Sequence, residues 1–206
     1  MQLWLGLSSG TAFRTTVRRL AVAEPLLDAR FTAGDFTGDG RTDLAIQTAV
    51  TPVGGRTTLV TRVATSSPKL TFAAPVAWGV AEPVALAKTV TIAADIDRNG
   101  MDDLVLAWRV GTGSRLLFDR SSGTGFTRSW ATPQLPGLPF RTTQFVGADW
   151  NGDGRTDILA LSDLGVTTSG APRGTGVTLY RSDGKQLTAV PLPADPTLAW
   201  GTFAAN

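Results

Sequence analysis

The 206-residue chain contains neither cysteine nor histidine, and both absences narrow its chemistry before any motif is read. Without cysteine there is no disulfide, no thiolate nucleophile and no thiolate metal site. Without histidine the usual general base and the usual zinc ligand are gone. Glutamate occurs only at Glu24 and Glu82, each directly before a proline, where the backbone is extended or turning. Most hydrolase machinery is thereby excluded, and the chain is expected not to be an enzyme. No apolar run approaches the roughly 18 residues of a membrane-spanning helix. A Gly-rich phosphate loop, a basic helix and an aromatic RNA-binding motif are likewise missing, so no nucleic-acid partner is expected. The start, Met1-Gln2-Leu3-Trp4-Leu5-Gly6-Leu7, has no charged region or cleavage site of a signal peptide, and suggests a domain excised from a larger protein.

What the chain does contain is short apolar runs separated by 23 glycines and 12 prolines, with little helical periodicity. That pattern specifies an all-β fold. An apolar share of 42% is ordinary for a globular core.

The most informative stretch is Asp149-Trp150-Asn151-Gly152-Asp153-Gly154-Arg155-Thr156-Asp157. Calcium is a hard cation that takes six to eight oxygens at roughly 2.3–2.6 Å, and a short loop with an oxygen ligand at every second position can wrap around it. Asp149, Asn151 and Asp153 would give side-chain oxygens, Arg155 its backbone carbonyl and Asp157 a closing carboxylate. Gly154, at the sixth position, allows a sharp turn where a Cβ would clash. The same grammar recurs at Asp35, Thr37, Asp39, Arg41 and Asp43, and at Asp95, Asp97, Asn99, Met101 and Asp103, with Gly40 and Gly100 at the sixth positions. Three calcium sites are therefore expected, one per loop. An EF-hand would need a glutamate at the twelfth position and flanking helices; Ile46, Leu106 and Ala160 stand there instead. Apolar runs on both sides make each loop the turn of a β-hairpin.

The first ligands, Asp35, Asp95 and Asp149, are 60 and 54 residues apart, a period that marks blades or solenoid turns. Near the C-terminus, Thr202–Ala205 followed by Asn206 matches Phe145–Ala148 followed by Asp149. Near the N-terminus, Leu3–Phe13, with its Ser8-Ser9-Gly10 turn, matches Leu116–Phe126, with Ser121-Ser122-Gly123. The two ends thus look like halves of one repeat. The expected architecture is a β-propeller of about four four-stranded blades: residues 29–87, 88–141 and 142–196, plus a blade split between 197–206 and 1–28. Proline-rich joints at 131–137 and 192–196 separate blades. Residues 173–176, Arg-Gly-Thr-Gly, read as a loop.

The aspartate-rich loop, together with a Gly-Thr-x-Phe segment about 28 residues later, resembles the FG-GAP/VCBS repeat family, the blades of integrin α-subunit propellers and of many bacterial secreted proteins. The resemblance implies a β-propeller binding one calcium ion per loop, between the first two strands of each blade. It also implies an extracellular, secreted setting and a binding or recognition role for a carbohydrate or protein ligand. Four blades closing within one chain, as a monomer, and a larger ring completed by a second copy both fit this length; a structural or self-assembling fragment is the alternative role.

Individual positions carry further expectations. Thr37, where Asp or Asn is usual, makes loop one the weakest site, and Asn206 begins a fourth loop in which no ion is expected. Nine of the 17 acidic residues are loop ligands, leaving 8 acids against 19 bases elsewhere, 16 of them arginine. Arg14, Arg18 and Arg19 could meet an acidic glycan, a cell-wall polymer or a phosphate, but are better read as charge on an exposed strand edge. The six tryptophans could stack on sugars. Trp78 and Trp130, at similar distances after Phe72 and Phe126, are instead expected to pack between blades, Trp150 to pack in its hairpin as Phe36 and Ile96 do, and Trp4 to meet Trp200.

Overall fold

The computed structural model describes residues 1–22, 28–51, 55–79, 81–132, 134–135, 138–171 and 173–195. Within them the fold is all-β and wholly antiparallel. β1 (Gln2–Ser8) and β2 (Phe13–Arg19) make a two-stranded sheet. β3 (Arg30–Gly34), β4 (Asp43–Val50), β5 (Thr58–Ala64) and β6 (Val76–Ala77) make the first four-stranded sheet. β7 (Thr89–Ala94), β8 (Asp103–Val110), β9 (Gly113–Ser121) and β10 (Phe126–Ala131) make the second. β11 (Thr143–Ala148), β12 (Asp157–Asp163), β13 (Thr175–Ser182) and β14 (Leu187–Asp195) make the third. Each four-stranded sheet is a simple meander, the unit from which propeller blades are built. The segment expected to complete the sheet of β1 and β2, 197–206, lies outside the described residues, and with it Trp200, Asn206 and Glu24. Residues 175–176, expected in a loop, open β13; only Arg173 and Gly174 precede the strand.

The aspartate loops occupy the same place in every meander. Each hairpin closes on one pair, Gly34 opposite Asp43, Ala94 opposite Asp103 and Ala148 opposite Asp157, with the loop projecting from it. Short 3-10 turns, Leu86–Lys88 and Phe140–Thr142, lead into β7 and β11.

The chain forms two compact units. One is Met1–Ala87 with Ser121–Thr127; the other is Lys88–Arg120 with Arg128–Asn206. In the first, Leu20, Ile46 and Ala64 are buried with Leu3, Leu44 and Phe72 packed against them. In the second, Ile92, Val105, Phe118, Phe145, Ile158 and Tyr180 belong to one core. β11 lies close to β7 there: a Cβ on Gly147 would stand 3.1 Å from the Ile92 side chain, so a larger residue at that position would crowd the two strands. β8, whose first five residues are all buried, is covered on both faces. Burial pushes the Tyr180 phenol above its ordinary pKa, since that core disfavours the phenolate.

The tryptophans divide. Trp78 is buried edge-on to Phe126, with ring centroids 5.2 Å apart, whereas Trp130 stacks flat on Phe118 at 3.7 Å. Similar spacing in sequence therefore does not give equal environments. Arg14 and Arg19 are exposed on β2, while Arg18 donates from Nε to the Leu70 carbonyl at 2.9 Å.

Candidate functional site

All three loops are organised from their first residue. The Asp35 carboxylate accepts backbone N–H groups of Gly38, Asp39 and Gly40 at 2.8, 3.1 and 2.7 Å. Asp149 accepts those of Gly152, Asp153 and Gly154 at 2.8, 3.1 and 2.9 Å, which is the same construction in another repeat. Asp95 accepts Asn99 and Gly100 at 3.1 and 2.9 Å. One carboxylate thus wraps the backbone by charge-assisted hydrogen bonds. The fifth residue continues the winding: Asp39, Asn99 and Asp153 each accept the N–H of the seventh residue, at 3.0, 2.7 and 2.8 Å.

Such tight winding needs positive φ twice per loop. Gly40, Gly100 and Gly154 supply it at the sixth position with φ of 78°, 81° and 83°, as the sequence indicates. The fourth position needs it as well, which spacing alone did not reveal. Gly38 and Gly152 meet that need at 74°, while Arg98 is held at 63° in loop two, a left-handed conformation that side chains rarely adopt. The Arg98 side chain lies over Gly154 in the neighbouring loop, and the Thr156 N–H donates to the Asp95 carbonyl at 2.7 Å, so loops two and three of the second unit brace each other.

The ninth residues, Asp43, Asp103 and Asp157, are all buried. Asp43 accepts the Thr37 N–H and hydroxyl at 3.2 and 3.1 Å and the Ser66 N–H at 2.8 Å. Asp103 accepts the Ile96 N–H at 3.3 Å, and Asp157 Oδ1 accepts the Ser182 N–H at 2.8 Å. The other oxygen of Asp157, Oδ2, is buried without a hydrogen-bond partner. A buried carboxylate oxygen left unpaired is costly, and a cation would relieve it.

The remaining ligand positions are engaged elsewhere. Asp97 pairs with Arg120 at 2.9 Å, Asp39 with Arg41, and Asp153 with the Asn151 amide at 3.0 Å and with Arg155 at 3.7 Å. The Arg155 N–H and the Asn151 amide hold the Asp153 carboxyl below the usual carboxylate range. Among the described residues no three acidic side chains converge on a common point, because their oxygens face backbone amides and arginines. The donor set is nonetheless all oxygen, which suits calcium or magnesium and excludes soft metals. Holding an ion would require Asp39, Asp97 and Asp153 to swing from their arginine partners into the loop. Thr37 adds least to such a site: its hydroxyl, 3.4 Å from an Asp35 oxygen and 3.1 Å from an Asp43 oxygen, is a neutral ligand with a single oxygen.

Two serines that the sequence reading passed over complete the loops. Ser121 Oγ donates to the Phe36 carbonyl at 2.7 Å, and Ser182 Oγ donates to the Ile96 carbonyl at 2.9 Å; both acceptors are second loop positions. The signal was present in the recurring turn at Ser8, Ser121 and Ser182, but its target lies in another repeat. Removing such a buried hydroxyl strands a buried carbonyl. Ser182→Ala is therefore expected to lower unfolding stability by about 1–3 kcal/mol, read from the urea midpoint, and an unchanged midpoint would show that the bond contributes nothing. Phe36 and Ile96 are buried as expected, but Trp150 is 58% exposed, a correction to its reading as hairpin packing.

Comparison with known proteins agrees with this geometry. The model of the FG-GAP-like repeat matches residues 58–160, half of the chain, including loops two and three. No curated protein matches the chain.

Proposed function

The chain belongs to the FG-GAP-like repeat family, and from that premise we propose that it is a calcium-stabilised recognition module of propeller type, not an enzyme. The observation that carries the calcium reading is the buried, unpaired Oδ2 of Asp157 at the closing position of a loop whose pattern occurs three times. Under this reading each ion is held by the first, third, fifth and ninth side chains and the seventh carbonyl, for instance Asp149, Asn151, Asp153, Asp157 and Arg155. The ion replaces arginine as the counter-charge and draws the carboxylates inward. Extracellular calcium modules bind with Kd of about 10⁻⁴–10⁻³ M, which suits a secreted protein in a calcium-rich compartment.

The ligand we propose is a carbohydrate or protein surface, with acidic character favoured because the arginines outside the loops outnumber the remaining acids. Function in this family type is set by loops and edges rather than by the repeat itself, so the ligand has to be found by binding.

Calorimetric titration with calcium tests the metal reading. Three ions per chain are expected, falling to two in Asp157→Asn, with loop one the weakest; no heat of binding in the native protein would defeat it. A glycan array and a protein pull-down, both run in calcium and in chelator, test recognition: calcium-dependent capture supports it, and a blank array with a blank pull-down counts against it.

A further inference from the structure

Loops two and three lie in the same compact unit and carry matched ligand side chains: Asp95, Asp97, Asn99 and Asp103 in one, Asp149, Asn151, Asp153 and Asp157 in the other. With three carboxylates and one amide each, ligand charge gives no reason for their affinities to differ. The cations around them do. Arg120 pairs with Asp97 and Arg155 with Asp153, one arginine to each loop. Loop three has a second, and loop two supplies it.

That second cation is Arg98. It stands at the fourth position, where loops one and three have glycine, and its φ is 63°. A long side chain in the left-handed region is rare, and such outliers persist where the surroundings specify them, often at functional positions. The specification comes from the neighbouring hairpin. A Cβ on Gly154 would stand 2.6 Å from Arg98 Nε and 3.0 Å from its Cζ, so the guanidinium fills space over loop three that only a glycine leaves. Gly154 directly follows Asp153, and its N–H donates to the Asp149 carboxylate at 2.9 Å. The backbone fixes this approach, because Thr156 N–H, between Arg155 and the closing Asp157, donates to the Asp95 carbonyl at 2.7 Å. Loop two thus holds a positive charge against the ligands of loop three.

We infer that Arg98 sets the calcium affinity of loop three from outside that loop. The guanidinium is a resident counter-cation that opposes an entering ion, so loop three binds calcium more weakly than its own ligands dictate. This rests on the calcium reading, whose support at loop three is the unpaired Oδ2 of Asp157. One unit charge a few ångströms from a divalent ion in a partly hydrated loop changes affinity by about fivefold. Because the effect is electrostatic, salt should erase it.

The test is a calcium titration followed by amide NMR. The sixth-position glycines donate their N–H groups to the first carboxylates, Gly40 to Asp35, Gly100 to Asp95 and Gly154 to Asp149, so each resonance reports its own loop. Arg98→Asn removes the charge with a residue that accepts positive φ, and Arg98→Lys keeps the charge. In about 0.1 M salt, Arg98→Asn is expected to lower the Gly154 midpoint about fivefold and to move the Gly100 midpoint less than about twofold, with Arg98→Lys close to native. In about 1 M salt, where the screening length is about 3 Å, the native and Arg98→Asn midpoints are expected to converge. A Gly154 midpoint indifferent to Arg98→Asn, a shift of equal size at Gly100, or a difference that survives high salt would overturn the inference while leaving the calcium reading in place. A native protein in which none of the three glycines responds to calcium would overturn both.

Discussion

In about 10 mM calcium the protein is expected to melt more than 10 °C above its temperature in chelator. At a Kd of about 10⁻⁴ M, that concentration is about one hundred times Kd and stabilises the native state by about 2.7 kcal/mol per site. Loops two and three share one compact unit, so that unit gains about 5 kcal/mol, against a typical domain stability of about 5–15 kcal/mol. The physical source is repulsion relieved: each loop gathers carboxylates that only backbone amides and a few arginines now neutralise. The unit holding loop one should gain least, because it holds a single loop and Thr37 offers a neutral hydroxyl where loops two and three have Asp97 and Asn151. Scanning calorimetry would show two shifts of unequal size. Superimposable scans in calcium and in chelator would exclude calcium as a structural ligand.

Phe126→Ala should be among the most damaging single substitutions. The ring is buried, stands edge-on to Phe36 at 5.4 Å and to Trp78 at 5.2 Å, and is the apolar part of the turn seated on loop one. Truncating a buried aromatic costs about 3–5 kcal/mol from lost transfer energy and the residual cavity, and edge-to-face pairs add to burial. Urea unfolding of the variant should show that loss in the unit Met1–Ala87 with Ser121–Thr127, with the second unit unchanged. It should also weaken calcium at loop one alone, since Phe36 is a loop residue. A loss below about 1 kcal/mol, less than the smallest cavity effects at such sites, would contradict the packing described.

The fold and the loops were legible because their signals are local. Ligands at every second position, a glycine at the sixth and apolar runs alternating along short strands are properties of nine or ten consecutive residues, and they locate hairpins closing at Asp43, Asp103 and Asp157. What escaped the sequence depends on another repeat. Ser121 and Ser182 resemble ordinary turn residues until their hydroxyls meet Phe36 and Ile96. Trp150 shares its loop position with those two residues but not their burial, because burial at that position is conferred by a turn from elsewhere. Trp78 and Trp130 likewise follow a phenylalanine at similar distances and pack on different partners. The swing of Asp97 toward Arg120 was also invisible, since nothing in the spacing of a loop says which cation reaches its carboxylates first.

The serine bonds that finish the loops join residues 85 and 86 positions apart, Ser121 to Phe36 and Ser182 to Ile96. A loop is therefore written early in translation and completed late. At about 5–20 residues per second, an emerged Phe36 waits roughly 4–17 s for the segment that covers it. During that interval the nascent chain exposes an aspartate-rich turn with an uncovered aromatic, and each repeat that follows resolves the exposure of the one before it. The protein is thus made in overlapping instalments, and its period of greatest vulnerability lies on the ribosome, in the lag between one repeat and the next.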